Sequence, residues 1–387
     1  MSAAKGRPRR AGFDGLAEMA ASLGSLETQT PFLAIDLDAM ERNLAYMAGY
    51  FEERPAGLRP HFKTHKCTEI AHMQIDAGAT GITCATSDEL AAAAQAGIGN
   101  ILVANVTTDR VRLASIAHSA ERSEVTIAVD SEASTRLASE AATRAGTELR
   151  VVIEYDIGMR RSGVASIDEA LDLAALVTAT PALSFRGVMA YEGHLVGTPD
   201  RDARTAAVLE AFAPMPELLR ALSDGGFEID MFTGGAASTY DSAGNLPFMT
   251  DLQAGTYPLM DATYVEFVPE FEPALAVITT VATARPGRPL VLDAGAKRMA
   301  TDWGEPALAG YDATWYATSE EHCRFVVDGP SLPAVGERVA IAPAHACPTM
   351  SFHSTVVGWR SGRVERLLTI DGRDQGQITS LLPTPSS

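Results

Sequence analysis

The eight residues Arg59-Pro60-His61-Phe62-Lys63-Thr64-His65-Lys66 carry five basic side chains. Pro60 and Phe62 interrupt the run, and the helix-like Thr68-Glu69-Ile70-Ala71-His72-Met73 follows closely. The segment therefore reads as a strand end and βα loop rather than as a solvated basic face. A side chain at such an end lies at the catalytic face of a βα barrel. In an apolar pocket near other cations, a lysine amine can be neutral enough to form a Schiff base.

Four further clusters carry chemistry. Phe232-Thr233-Gly234-Gly235-Ala236-Ala237-Ser238-Thr239-Tyr240 follows a strand pattern. Its glycines let backbone amides approach an anion, and its hydroxyls can donate further bonds. Late in a βα barrel this is the usual phosphate position. Glu154-Tyr155-Asp156-Ile157-Gly158-Met159-Arg160-Arg161-Ser162-Gly163 ends a strand in acids and turns through Gly-Met-Arg-Arg. Ala190-Tyr191-Glu192-Gly193-His194 places a histidine, a near-neutral titrator suited to proton transfer, at another strand end. In His345-Ala346-Cys347 an extended backbone would point both side chains to one side. Imidazole and thiolate could then grip one cation, and that soft pair favours zinc or a similar transition metal. His353 is a nearby alternative ligand of lower rank.

These clusters need a frame. After a short apolar run at 32–37, strand and helix patterns alternate. The strand candidates are 59–63, 81–85, 101–104, 125–129, 150–155, 185–190 and 229–233, with 251–255 as a possible eighth. Ala-rich helix patterns such as 87–95 and 131–144 lie between them, as parallel strands with crossover helices require. Counting the strand at Ile35, eight or nine candidates fit a (β/α)8 TIM-like barrel, with a doubly wound sheet as the structural alternative. After about residue 270 the chain becomes β-rich between Gly/Pro turns, which predicts a C-terminal β domain. The expected division is a 1–27 extension, a 28–268 barrel and a 269–387 β-rich domain carrying the metal pair.

Composition narrows the function classes. The 387 residues are 46% apolar, with no apolar run of membrane-spanning length. The net charge of −18 disfavours nucleic acid and anionic membrane as partners. An anionic ligand would need a local basic pocket, which 59–66 can supply. Cys67, Cys84, Cys323 and Cys347 show no disulfide-framework spacing, which points to a reducing, cytoplasmic compartment. The basic start, Met1 to Arg10, lacks an apolar stretch behind it and reads as a disordered head; Pro383 to Ser387 reads as a frayed tail.

Thr30-Pro31-Phe32-Leu33-Ala34-Ile35-Asp36-Leu37-Asp38 followed by the 59–66 run resembles the opening of the D-threonine aldolase and D-serine dehydratase family. These are pyridoxal-phosphate enzymes with a barrel of alanine-racemase type. The resemblance extends from about residue 28 to 370. It implies that Lys63 carries the cofactor, with His61 and Tyr191 beside it. It places Arg161 near the phenolic oxygen, where a cation would help keep that oxygen ionised. Gly234, Gly235, Ser238 and Thr239 would form the phosphate cup, and Tyr257 would lie near the cofactor. His194 would take the substrate's β-hydroxyl proton. His345 and Cys347 would bind a divalent ion, Mn²⁺, Zn²⁺ or Mg²⁺. His322 would face the site, across a dimer interface.

By this resemblance the chain is a homodimeric aldolase acting on β-hydroxy-D-amino acids to give glycine and an aldehyde. The rivals are a 3-hydroxy-D-aspartate aldolase, and a D-serine or D-threo-3-hydroxyaspartate dehydratase that releases a keto acid and ammonia. His-x-Cys resembles the dehydratases; Gly-Met-Arg-Arg, Tyr-Glu-Gly-His and Gly-Gly-Ala-Ala-Ser-Thr resemble the aldolases. A non-catalytic pyridoxal-phosphate carrier is disfavoured by the β domain and the metal pair.

Overall fold

The computed structural model describes residues 13–329 and 331–373. The predicted disordered head and frayed tail lie outside them. A helix, Asp14–Ser22, and strand β1, Phe32–Asp36, come first. The barrel strands are β2 Gly57–Leu58, β3 Ile82–Cys84, β4 Asn100–Val103, β5 Glu124–Val129, β6 Leu149–Glu154, β7 Leu183–Ala190, β8 Met231–Gly234 and β9 Asp251–Leu252. All are paired in parallel, in the order β2-β9-β8-β7-β6-β5-β4-β3.

The ring closes just beyond β2, where His61 bridges to Thr83 of β3. The Phe62 N–H donates to the Thr83 carbonyl at 2.7 Å, and the Thr83 N–H to that of Pro60 at 2.8 Å. Closure leaves no sheet edge and sets the 59–66 segment on the C-terminal rim. The strands bury both faces, as parallel strands under a coat of helices must: Val151, Val152 and Ile153 of β6 are all fully buried. The helices between them start on side-chain caps. Thr86 accepts the Glu89 N–H ahead of Ser87–Gln95, and Ser131 forms a capping box ahead of Glu132–Ala145.

The second sheet is mostly antiparallel. Its further strands are β10 Leu275–Thr283, β11 Leu290–Leu292, β12 Ala307–Leu308, β13 Ala313–Thr318, β14 Cys323–Val327, β15 Arg338–Ala342, β16 Thr355–Arg360 and β17 Arg363–Thr369. They run in the order β13-β14-β11-β10-β1-β16-β17, with β15 joining β10 to β12. β1 belongs here and not to the barrel, although its pattern counts equally as a barrel strand. It is antiparallel to β10, Leu33 opposite Val277, and parallel to β16, Leu33 opposite Val356. Leu33, Ala34 and Ile35 are buried throughout, so hydropathy alone cannot tell which sheet receives the strand. Phe13, Leu16 and Met19, the last two on the first helix, pack on Ala340, Ala342 and Trp359 of this sheet.

The two sheets meet beside the basic loop. Cys67 and Ile70, just after it, share a core cluster with Leu259, Ala346 and Met350. That packing brings the loop after β2 against the 345–351 turn.

Candidate active site

Four of the five basic side chains in the 59–66 run have structural partners. Buried Arg59 pairs with Asp251 at 3.2 Å. His65 meets Gln74 Oε1 at 3.1 Å and accepts the Cys67 N–H. Lys66, in the left-handed region at φ 52°, pairs with buried Glu89 at 2.9 Å. The His61 ring accepts the Lys63 N–H at 3.4 Å. Burial first, then the nearby Lys63 and His65 charges, push His61 well below the usual imidazole range, so it adds no charge to the site. Lys63 makes no ion pair among the described residues. Its Nζ lies 5.9 Å from the Tyr191 ring centroid, and the Arg161 guanidinium lies at the same distance from that ring. Arg161 is also 3.6 Å from Glu154.

These side chains open onto a cavity of about 270 Å³ at the barrel mouth. His61, Lys63, Arg161 and His345 are among its walls, and among the described residues no carboxylate lines it. Such a donor set fits a small anionic ring with a phosphate, held by one free amine and one guanidinium.

The glycine loop is built from within. Gly234 marks close strand contact, since a Cβ there would lie 1.9 Å from the Ala190 carbonyl oxygen. Gly235, at φ +82°, donates its N–H to Glu192 Oε2 at 3.2 Å. Thr239 Oγ1 donates to Glu192 Oε1 at 2.5 Å and accepts the Ala236 N–H. The Ser238 hydroxyl donates to the Val196 carbonyl, and buried Arg204 donates to that of Ser238. Gly235, Ala236 and Ala237 line the cavity, whereas Gly234, Ser238 and Thr239 stand behind it. The buried Glu192 carboxyl, raised above the usual range by burial, thus organises the loop.

The 345–347 segment differs from its sequence expectation. His345 is the N-cap of a helix, Ala346–Ser351, so Cys347 sits in a helical first turn and not in an extended strand. The two side chains still line the same cavity. His345 Nδ1 lies 3.0 Å from Asp302 Oδ2, and Cys347 Sγ lies 3.2 Å from Thr64 Oγ1. Burial alone would lower His345; the contacts with Cys347 and Asp302 outweigh it and raise the imidazole to about 9. Asp261, fully buried, accepts the N–H groups of Thr263, Tyr264 and Ala346 and so ties this turn to the cavity wall. Among the described residues no three His, Cys, Asp or Glu side chains converge as a closed metal cage. A soft two-ligand pair with open positions is the kind of site at which a catalytic cation keeps room for water and substrate.

Other expected residues stand apart. His194 is exposed, its ring against Gly158, off the cavity wall. Tyr257 is buried elsewhere, its hydroxyl accepting from Gln74 at 3.0 Å. His353 bonds the Arg298 carbonyl, and His322 is exposed. Asn105, Gln253, Thr256, Tyr264 and Trp303 line the cavity without having been singled out. Gln253 and Thr256 lie in the same stretch as Tyr257, but they are three positions apart, so no single period-2 face running on from β9 holds both.

A closed parallel barrel with a lysine at its mouth and an attached β sheet is the architecture of alanine-racemase-like proteins. Residues 35–252 match the family model of the alanine racemase N-terminal domain, and residues 274–359 that of a putative serine dehydratase domain. The chain belongs to this alanine-racemase-like family with its serine-dehydratase-type second domain. It is 31% identical to a 3-hydroxy-D-aspartate aldolase of Paracoccus denitrificans (strain Pd 1222), over 90% of this chain and 93% of that one. It is 32% identical to a D-threonine aldolase of Arthrobacter sp, over 89% and 92% respectively. The solved structure of a D-threonine aldolase from Filomicrobium marinum superposes with a TM-score of 0.87, at 34% identity, over 89% of this chain and 96% of that one.

Proposed function

We propose that the chain is a pyridoxal-phosphate- and divalent-cation-dependent aldolase of the D-threonine aldolase type. It cleaves β-hydroxy-D-α-amino acids to glycine and an aldehyde. The observation that carries this reading is the single cavity shared by the free amine of Lys63 and the His345–Cys347 pair. Such a cleavage needs an electron sink at Cα and a group that draws the proton from the β-hydroxyl.

Pyridoxal phosphate, when bound, supplies the sink for the electrons of the Cα–Cβ bond. Lys63 would hold it, with Arg161 and Tyr191 beside it, Gly235 at the phosphate end and neutral His61 below. His345 and Cys347 would hold Mn²⁺, Zn²⁺ or Mg²⁺, which lowers the pKa of a hydroxyl placed there. Gly234, Ser238 and Thr239 keep the cup in shape from behind. The resemblance gives the β-hydroxyl proton to His194, which lies on the rim turn after Tyr191 and off the cavity wall, so in this reading it acts only if that turn brings it to the cavity. The free state of the four cysteines supports a cytoplasmic setting, and the resemblance to D-threonine aldolases supports a homodimer.

A second reading, the dehydratase, is favoured by one observation: the partner of His345 is a cysteine, as in D-serine dehydratases. A product assay separates the two. Protein loaded with pyridoxal phosphate and Mn²⁺ is given D-threonine; acetaldehyde and glycine are expected. Release of 2-oxobutyrate and ammonia would make the chain a dehydratase instead.

The buried Glu192 carboxyl organises the proposed cup, so Glu192→Ala should weaken cofactor binding by about 10- to 100-fold through loss of its bonds to Gly235 and Thr239. Titration of the cofactor's absorbance checks this. An unchanged dissociation constant would remove Glu192 from the account.

A further inference from the structure

We propose that Thr64 is a positioning residue for the cation: its hydroxyl holds the Cys347 sulfur in place across the junction between the barrel and the second sheet. The inference rests on the aldolase reading above, in which His345 and Cys347 hold the cation. It adds to that site a residue of the lysine-bearing loop. Thr64 follows Lys63 directly, and both line the cavity together with Cys347.

Thr64 is fully buried, and its Oγ1 lies 3.2 Å from Cys347 Sγ. A buried hydroxyl needs a partner, and a neutral thiol is a weak one. The buried hydroxyls of Thr83, Thr233 and Thr349 donate instead to carbonyl oxygens. A metal-bound sulfur is a thiolate, and a bond donated to an ionised acceptor is much stronger than one to a neutral acceptor. The Thr64 contact therefore gains most when Cys347 holds a cation. Both ends of the contact are fixed. On the barrel side the Phe62 carbonyl accepts the Lys66 N–H at 2.8 Å, which closes the turn around Thr64. Gly255 leaves room for the hydroxyl, since a Cβ there would lie 2.8 Å from Thr64 Oγ1. The β-branched threonine is itself stiff at χ1. On the other side Cys347 stands in the first turn of Ala346–Ser351, and the Ala346 N–H is tied to buried Asp261. Thr64 thus does for the sulfur what Asp302 does for the imidazole: a partner behind the ligand fixes where it points.

The test measures cation binding to the cofactor-loaded protein, by calorimetry with Zn²⁺ and Mn²⁺ and by the ultraviolet charge-transfer absorption of a thiolate bound to Cd²⁺. Thr64→Val keeps the side-chain shape and removes the hydroxyl. It should weaken Zn²⁺ binding by about 10-fold or more and reduce the Cd²⁺ band. Mn²⁺ should lose less, because a harder ion draws less on sulfur. Thr64→Ser restores the hydroxyl and should recover most of the lost Zn²⁺ affinity. Retained cofactor absorbance shows that the Lys63 turn is intact in each variant. Thr64→Ala, which also lacks the hydroxyl, carries the same expectation and replaces the valine variant if that protein does not fold. Wild-type Zn²⁺ affinity without the hydroxyl, a serine variant as weak as the valine one, or equal losses for Zn²⁺ and Mn²⁺ would each overturn the proposal and leave the aldolase reading standing. No Cd²⁺ band in the wild type would remove Cys347 from the cation site, and with it both the metal pair of that reading and this inference.

Discussion

Lys63→Ala should abolish turnover, by at least about four orders of magnitude, while the protein remains folded. The other basic side chains of its segment are tied into the barrel: Arg59 to Asp251, His65 to Gln74 and Lys66 to Glu89. Lys63 alone among them has no ion pair or side-chain hydrogen bond among the described residues, so its truncation breaks no such structural contact. The substitution removes the amine proposed to hold pyridoxal phosphate, along with the visible absorbance of the lysine-bound cofactor. Circular dichroism, a thermal melt and the absorbance spectrum check the three parts together. A folded Lys63→Ala protein with full activity would contradict the assignment.

Loss of the imidazole–thiol pair should have the next largest effect. Cys347→Ala or His345→Ala should lower activity by about 100- to 1000-fold, and a chelator should have a similar effect on the wild type. Cofactor absorbance should be largely unaffected, because the proposed cofactor ligands Lys63, Arg161 and Gly235 lie on other segments. Cation binding measured by calorimetry on the cofactor-loaded protein checks the cause. Asp302 matters to this result. By accepting from His345 Nδ1 it leaves the other ring nitrogen for a cation, the arrangement in which an outer carboxylate orients a ligating histidine. Wild-type cation affinity in Cys347→Ala would exclude the thiol as a ligand.

The barrel was largely legible in the sequence because its strands alternate with well-capped helices. The predicted helix at 87–95 coincides with Ser87–Gln95, and each barrel strand candidate overlaps a strand or the bridge at His61. β1 was the exception, for its fully buried pattern suits either sheet. Within the site, Lys63 could be read because Pro60 and Phe62 break a basic run at a strand end. The 345–347 turn could not. Pro348 at the third helical position is compatible with a helix start, but three residues show no period.

The second wall of the cavity was hidden for a different reason. Tyr264 and Trp303 meet there edge-on although they lie on separate segments that carry no motif. Buried Asp261, bonded to both Tyr264 and Ala346, joins one of these segments to the 345–351 turn. That junction exists only once the second sheet docks on the barrel. Tyr257 shows the converse: an aromatic residue near a recognisable stretch, but turned to Gln74 instead of to the cavity.

Borohydride reduction of the cofactor-loaded protein, followed by peptide mass mapping, tests the central claim most directly. The reduction fixes pyridoxal phosphate covalently to the lysine that carries it. The label is predicted on the peptide containing Lys63 and on no other. A label on Lys66 or Lys297, or a protein that takes up no label, would contradict the account.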